Sequence, residues 1–193
     1  ANQRDYAQAF ILLRDAERLM QQRHIPDTVY RGVLLQISSH FWLQQGRAEL
    51  ACEALSRVLK HYQGTQARQA PPATLELIPR IEYLLILART RSELDAIDAA
   101  TQVESLMKQA QTRGMWALAT ELELALAEVF WLGGQTTKAS DVLQEGVRNV
   151  ARYQTFQALN ELNLRQPLLL HDEQTSLLSC NQLCSRADAT ETL

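Results

Sequence analysis

Four histidines, three cysteines and 22 carboxylate side chains are the groups with which this 193-residue chain could do chemistry. His24, His40, His61 and His171 are scattered, none with a second histidine one helical turn away, so no helical histidine pair is available to a zinc ion. Cys180 and Cys184 could share a helical face, but Cys52 is remote in sequence and the further ligands of a metal site are missing. They read as small apolar packing residues, and His171-Asp172-Glu173 reads as a solvated turn. No G-x-S-x-G, H-E-x-x-H or glycine-rich phosphate loop occurs, and the seven glycines fall mostly where helices end. The sequence therefore predicts neither an active site nor a cofactor. Its informative polar residues lie on stretches that are otherwise apolar: Gln36, His40 and Gln44 on one, Glu82 and Arg89 on a second, Glu121 and Glu128 on a third. A buried polar group has to find a protein partner, water or a ligand, and the sequence leaves that choice open.

Those stretches must be helices. Met115 to Leu132 is apolar almost all the way round, broken by Thr120, Glu121, Glu123 and Glu128, as expected of a helix covered on more than one side. Gly133-Gly134 is a stop signal. From Thr136 to Tyr153, Ala139, Val142, Leu143, Val147, Val150 and Ala151 recur at three- and four-residue spacing opposite Lys138, Asp141, Glu145, Arg148 and Arg152, which predicts an outer helix with one buried stripe. An inner and an outer helix joined by a two-glycine turn form a hairpin that cannot cover its own inner member. It needs neighbours of the same kind.

The rest of the chain supplies them. Asp5 to Arg23 reads as a one-sided amphipathic helix (Tyr6, Ala9, Phe10, Leu13, Ala16, Leu19, Met20), and His24-Ile25-Pro26-Asp27 ends it, with Asp27 or Thr28 capping the next. Val29 to Gln45 is nearly all apolar and stops at Gly46, and Arg47 to Tyr62 is one-sided again. Gln63 to Thr74 has no periodicity and reads as a surface loop. The next pair is expected at Ile78 to Arg89, with Pro79 in the first turn, and at Leu94 to Arg113, opened by a weak capping box at Ser92 and Asp95 and closed by Gly114. Thr155 to Leu164 is a short helix stopping before Pro167, and Leu168 to Leu193 holds an apolar cluster (Leu177, Leu178, Leu183) and a polar, disordered end. The division is a helical repeat domain over 1–165 and a C-terminal extension with a flexible tail over 166–193. The chain opens on Ala1 with a helical pattern already under way, which reads as a piece of something longer.

Composition narrows the class. A formal charge of −3 and a pI near 5.8 provide no basic field for gripping nucleic acid. There is no run of eighteen apolar residues and no export signal, and the odd number of cysteines has no framework spacing, so the expectation is a cytoplasmic, non-membrane protein.

Gly46 and Gly134 lie 88 residues apart, two periods of roughly 44, with the Ile78 to Arg113 pair between them. Each glycine is followed by alanine five places on (Ala51, Ala139) and leucine four later (Leu55, Leu143), while Ala9 and Leu13 repeat the pair in the first helix. This spacing resembles the tetratricopeptide repeat. The resemblance implies an all-α fold, a right-handed α-solenoid of helical hairpins whose first helices line a concave groove. On that register Gln36, His40, Gln44, Glu121 and Glu128 line the groove together with Glu82 and Arg89, and His40 is equivalent to Glu128. The segment from Arg113-Gly114 through Leu132-Gly133-Gly134 to Val150-Ala151-Arg152-Tyr153-Gln154-Thr155-Phe156 further resembles the last repeat of MalT-type regulators, large ATP-binding transcription activators of the LuxR family. That resemblance implies a non-catalytic domain that senses an effector, a small molecule or a peptide, and supports self-association. DNA and ATP would be bound only by domains outside this chain. The competing reading is a tetratricopeptide-like scaffold for protein partners, and an enzyme is the weakest of the three. Trp42 and Trp131 read as inter-helix core rather than a ligand cage.

Overall fold

The computed structural model describes residues 3–23, 27–65 and 74–171, and everything described is helix or the turns between helices. In chain order these are α1 (Gln3–Gln22), α2 (Asp27–Gln44), α3 (Ala48–Thr65), α4 (Thr74–Arg89), α5 (Glu93–Thr112), α6 (Trp116–Leu132), α7 (Thr136–Tyr153), α8 (Phe156–Arg165) and α9 (Pro167–His171). The all-helical expectation therefore holds over the described residues. The apolar cluster Leu177, Leu178 and Leu183, the Cys180 and Cys184 pair and the polar end lie outside them.

Two boundaries move. Helix α3 runs on to Thr65 and α4 starts at Thr74, so the expected loop from Gln63 to Thr74 is helical at its two ends, and residues 66–73 are outside the described part. Pro79 consequently sits inside α4 rather than at its start, where it removes one backbone donor from the ladder. The Ser92 cap forms as expected: its hydroxyl oxygen accepts the Asp95 N–H at 3.2 Å, and the Asp95 carboxylate accepts from the Ser92 hydroxyl at 2.8 Å and the Arg91 N–H at 3.2 Å.

One turn is used again and again. Gly46, Gly114 and Gly134 have φ near +70° (70°, 72° and 70°). At each, the following residue donates its N–H back across the turn, Arg47 to Trp42, Met115 to Ala110 and Gln135 to Phe130, while the glycine N–H reaches Leu43, Gln111 or Trp131. This is the Schellman arrangement, and its left-handed residue is glycine because a Cβ there meets the backbone. The alanine five places on opens the first bonded turn of the next helix in all three, Ala51 to Arg47, Ala119 to Met115 and Ala139 to Gln135. The Gly114 to Ala119 copy joins the outer helix α5 to the inner helix α6 rather than closing a hairpin.

Each helix packs on the next; α2, α4 and α6 also form an inner layer, α4 touching both of the others, and α8 packs on it against α2 and α6. In the α6 and α7 pair Trp116 stacks on Tyr153, Glu123 meets Asn149 and Lys138 lies over Phe130, so the two run antiparallel. Helix α6 is buried from Leu118 to Phe130 except at Glu121 and Glu123, which fits its all-round apolarity. The outer helices α5 and α7 bury only stripes, Ala96, Ala99, Ala100, Val103 and Ala110 in one and Ala139, Leu143, Gly146 and Val150 in the other. Trp42 and Trp131 are half-buried against the core, and so is Cys52. Helix α1 is less well covered: Phe10 packs on Phe41 and Trp42 at ring distances of 6.0 and 6.2 Å, but Ile11, Leu12 and Leu19 are exposed. Leu19, expected on the packed face, is left outside.

Small residues set how closely these helices approach. Ala51 and Ala139 are fully buried, and a Cβ on Gly133 would come within 2.9 Å of the Ala96 Cβ, a group that cannot turn aside. Gly133→Ala and Ala139→Trp should therefore each cost about 1–3 kcal/mol or more by overpacking, while Lys108→Ala on the exposed face of α5 should stay within about 0.5 kcal/mol. Urea midpoints check this, and equal shifts for the buried and exposed changes would contradict the packing described.

Candidate functional site

The polar residues of the inner layer do not face an open groove along its whole length, because α8 lies across it. Glu128, only 3% exposed about one turn before the end of α6, takes a two-pronged ion pair from Arg165 of α8, with Nε 3.1 Å from both carboxylate oxygens and Nη2 2.9 Å from Oε2. Gln166 adds a contact of 3.5 Å. One turn back on α8, Glu161 Oε2 lies 2.8 Å from Nδ1 of His40 on α2, a short ionic contact rather than a well-aligned hydrogen bond. His40 and Glu128, equivalent by repeat register, thus receive residues four apart on one face of the same short helix. Leu159 and Leu162 complete that face and are buried. Between the two pairs Tyr83 of α4 is buried beneath α8, and burial, reinforced by Glu121 and Glu161, pushes its hydroxyl well above the usual tyrosine value.

The electrostatics follow from this cover. Burial would drive the Arg165 guanidinium to lose its proton, but the Glu128 carboxylate, helped by Glu161, more than offsets this and holds the charge. For Glu161 burial pulls upward, and the His40 contact, the Gln157 amide and the Arg165 charge together keep its carboxyl below the ordinary value. Losing one partner of the buried pair is costly while losing both is not, since the desolvation of a lone charge is what remains. Arg165→Leu should destabilise by about 3–5 kcal/mol, whereas Arg165→Met combined with Glu128→Met should recover most of that loss. Denaturation midpoints of the parent chain, Arg165→Leu and the double variant check this; an Arg165→Leu loss under about 1 kcal/mol would mean that the pair is not buried as described.

Toward the N-terminal end of α8 the cover is incomplete. A cavity of about 370 Å³ opens between α2, α4, α6 and the turn into α8. Gln36 and His40 line it from α2, Arg80 and Tyr83 from α4, Glu121 from α6, and Thr155, Gln157 and Glu161 from the turn and α8. Arg80 grips Glu121 in a fork, Nε to Oε2 at 2.9 Å and Nη2 to Oε1 at 2.8 Å, which holds the guanidinium charge above its ordinary strength. Thr155 is 8% exposed and its hydroxyl is buried without a hydrogen-bond partner in the cavity wall. The arrangement has charge partners already in place, with the Thr155 hydroxyl and His40 Nδ1 both lacking a well-formed hydrogen bond, so it can bind a polar molecule.

The seven residues singled out from the sequence separate accordingly. Gln36, His40 and Glu121 line the cavity; Glu128 is sealed under α8 by Arg165. Gln44 is half-buried near the end of α2, and Arg89 is exposed at the end of α4. Glu82 is half-buried away from the cavity, and burial, only partly offset by the Arg113 charge, raises its carboxyl. Sequence reasoning missed Arg80, Thr155, Glu161 and Arg165. Glu161 and Arg165 carry a readable signal, opposite charges at i, i+4 beside Leu162 on a short helix. Among the described residues no group of three or more metal-ligating side chains occurs, and no helix is long and apolar enough to cross a membrane. Comparison with family models, with curated proteins and with solved structures finds no match to this chain.

The raised Glu82 carboxyl has a testable sign. Its folded state binds the proton more tightly than the unfolded chain, so the ionised side chain opposes folding above the raised value and ceases to do so on acidification. Glu82→Gln should raise the melting temperature slightly at pH 7 and lose that advantage below the ordinary glutamate value of 4.5. A loss of stability at neutral pH would contradict it.

Proposed function

We propose that this chain is a non-catalytic binding domain that senses a small polar effector in the cavity beside α8. The single observation that carries the reading is that cavity: about 370 Å³, walled by side chains from three inner helices and the α8 turn, with the Thr155 hydroxyl left unpaired. A space of this size with a few convergent polar groups suits a small molecule. The finer expectations belong to the same proposal. The hairpins form a right-handed, tetratricopeptide-like solenoid, and the chain is the effector-sensing and oligomerisation domain of a cytoplasmic, bacterial MalT-like activator of the LuxR family. ATP and DNA are then bound by other domains of the parent protein. What supports this reading is the recurring glycine turn, the alternation of all-round and one-sided apolar helices, and the polar inner layer. A scaffold for protein partners is the second reading, favoured by Ile11, Leu12 and Leu19 exposed along α1.

A thermal-shift screen of sugars, amino acids, nucleotides, acyl compounds and short peptides tests the effector reading. A hit that raises the melting temperature should bind Gln36→Ala and Thr155→Val roughly tenfold or more weakly, the equivalent of about 1–3 kcal/mol for a lost polar partner. Gln102→Ala, on the exposed side of α5, should bind it as the parent chain does. Equal binding by all three variants would remove the cavity as the site, and the absence of any hit would favour the scaffold.

A further inference from the structure

The turn from α7 into α8 is built like the three glycine turns, but its left-handed residue is Gln154. Its φ and ψ are 57° and 35°, and the Thr155 N–H reaches back to the Val150 carbonyl at 3.2 Å, as Arg47, Met115 and Gln135 do at theirs. A side chain in this conformation carries a strain that glycine avoids. The strain disappears if Gln154 becomes helical, and no proline or glycine occurs from Val147 to Gln166 to prevent α7 and α8 from joining into one helix. Joined, residues 155–165 would project about 16 Å beyond the present end of α7. Helix α8 would leave the inner layer, and Glu128 would be uncovered with its charge unpaired.

That face accepts only a particular occupant. It needs a cation at Glu128 and an acidic group at His40 one helical turn away, with two leucines to cover the apolar surface between. A helix with this pattern is at hand in every copy of the chain. We infer that two copies exchange α8: each straightens at Gln154 and lays Leu159, Glu161, Leu162 and Arg165 onto the inner layer of the other. The dimer re-forms the same ion pairs between chains and relaxes two strained turns, a low-cost route to association. The exchange does not rest on the effector reading, since the contacts it re-forms are those of α8 with the inner layer and need no ligand.

Sedimentation velocity on the full chain and on Gln154→Gly and Gln154→Ala, up to the solubility limit, tests the hinge. Glycine relieves the strain of the closed form and should suppress the dimer; alanine keeps the strain and favours the straight helix, so it should promote it. The strain is worth about five- to thirtyfold per turn, and with two turns per dimer the two dissociation constants should differ by roughly 25-fold or more. Charge reversal then tests what is exchanged. Glu128→Arg and Arg165→Glu each place like charges together within a closed chain, but mixed they should form a one-to-one heterodimer in which every α8 meets an opposite charge. A Gln154→Ala chain that stays monomeric, or dimers equally strong in the glycine and alanine variants, overturns the exchange. So does a mixture of folded charge-reversed chains that remain unassociated; should those chains not fold, the Gln154 comparison decides alone.

Discussion

Glu128 sits 3% exposed about one turn before the end of α6, the most continuously apolar of the described helices, and the Arg165 guanidinium keeps its charge tolerable there. Much else depends on that pair. A carboxylate at this depth without a cation would take up a proton or unfold its surroundings, so the inner layer of α2, α4 and α6 has to be covered by a helix that brings arginine. Helix α8 is placed by this requirement. Its second charged group, Glu161, lies one helical turn back from Arg165 on the same face of α8 and falls on His40.

The repeated turn makes the spacing possible. Three left-handed glycines reverse the chain with the same backbone bonds, and the alanine five residues later allows close approach of the next helix. Equivalent positions of successive hairpins therefore arrive on the same inner surface, which is why His40 and Glu128, 88 residues apart, meet one short helix. The fourth turn departs from the pattern at Gln154, and it is the turn that carries the cover.

Most of the helices were legible in the sequence, because the difference between all-round and one-sided apolarity reports whether a helix is inner or outer. Met115 to Leu132 and Thr136 to Tyr153 were placed to within a residue on that basis. The starts of α4 and the end of α3 were not, since Gln, Ala and Thr around residues 63–74 carry no periodic signal and Pro79 imitates a helix start. For the site, apolar context marked His40, Glu121 and Glu128 as polar groups in need of partners. Their partners could not be read by the same means: Arg80 is one charge among several on α4, and Arg165 looks like an ordinary basic residue at a helix end. Pairing is a property of the third dimension, and here it joins residues from 37 (Glu128 and Arg165) to 121 (His40 and Glu161) positions apart, with Thr155 recognisable only by what fails to reach it.

Hydrogen exchange of the native full chain, resolved along the sequence, tests most directly whether α8 is held on the inner layer through Glu128. The account predicts that Leu159–Arg165 amides are protected well above free-chain rates, yet open more readily than those of Leu122–Phe130 in α6, because α8 is released at a single strained residue. Gln154→Gly should slow the α8 opening and leave α6 unchanged. Exchange of α8 at the rate of an unstructured segment, with α6 still protected, would contradict the account.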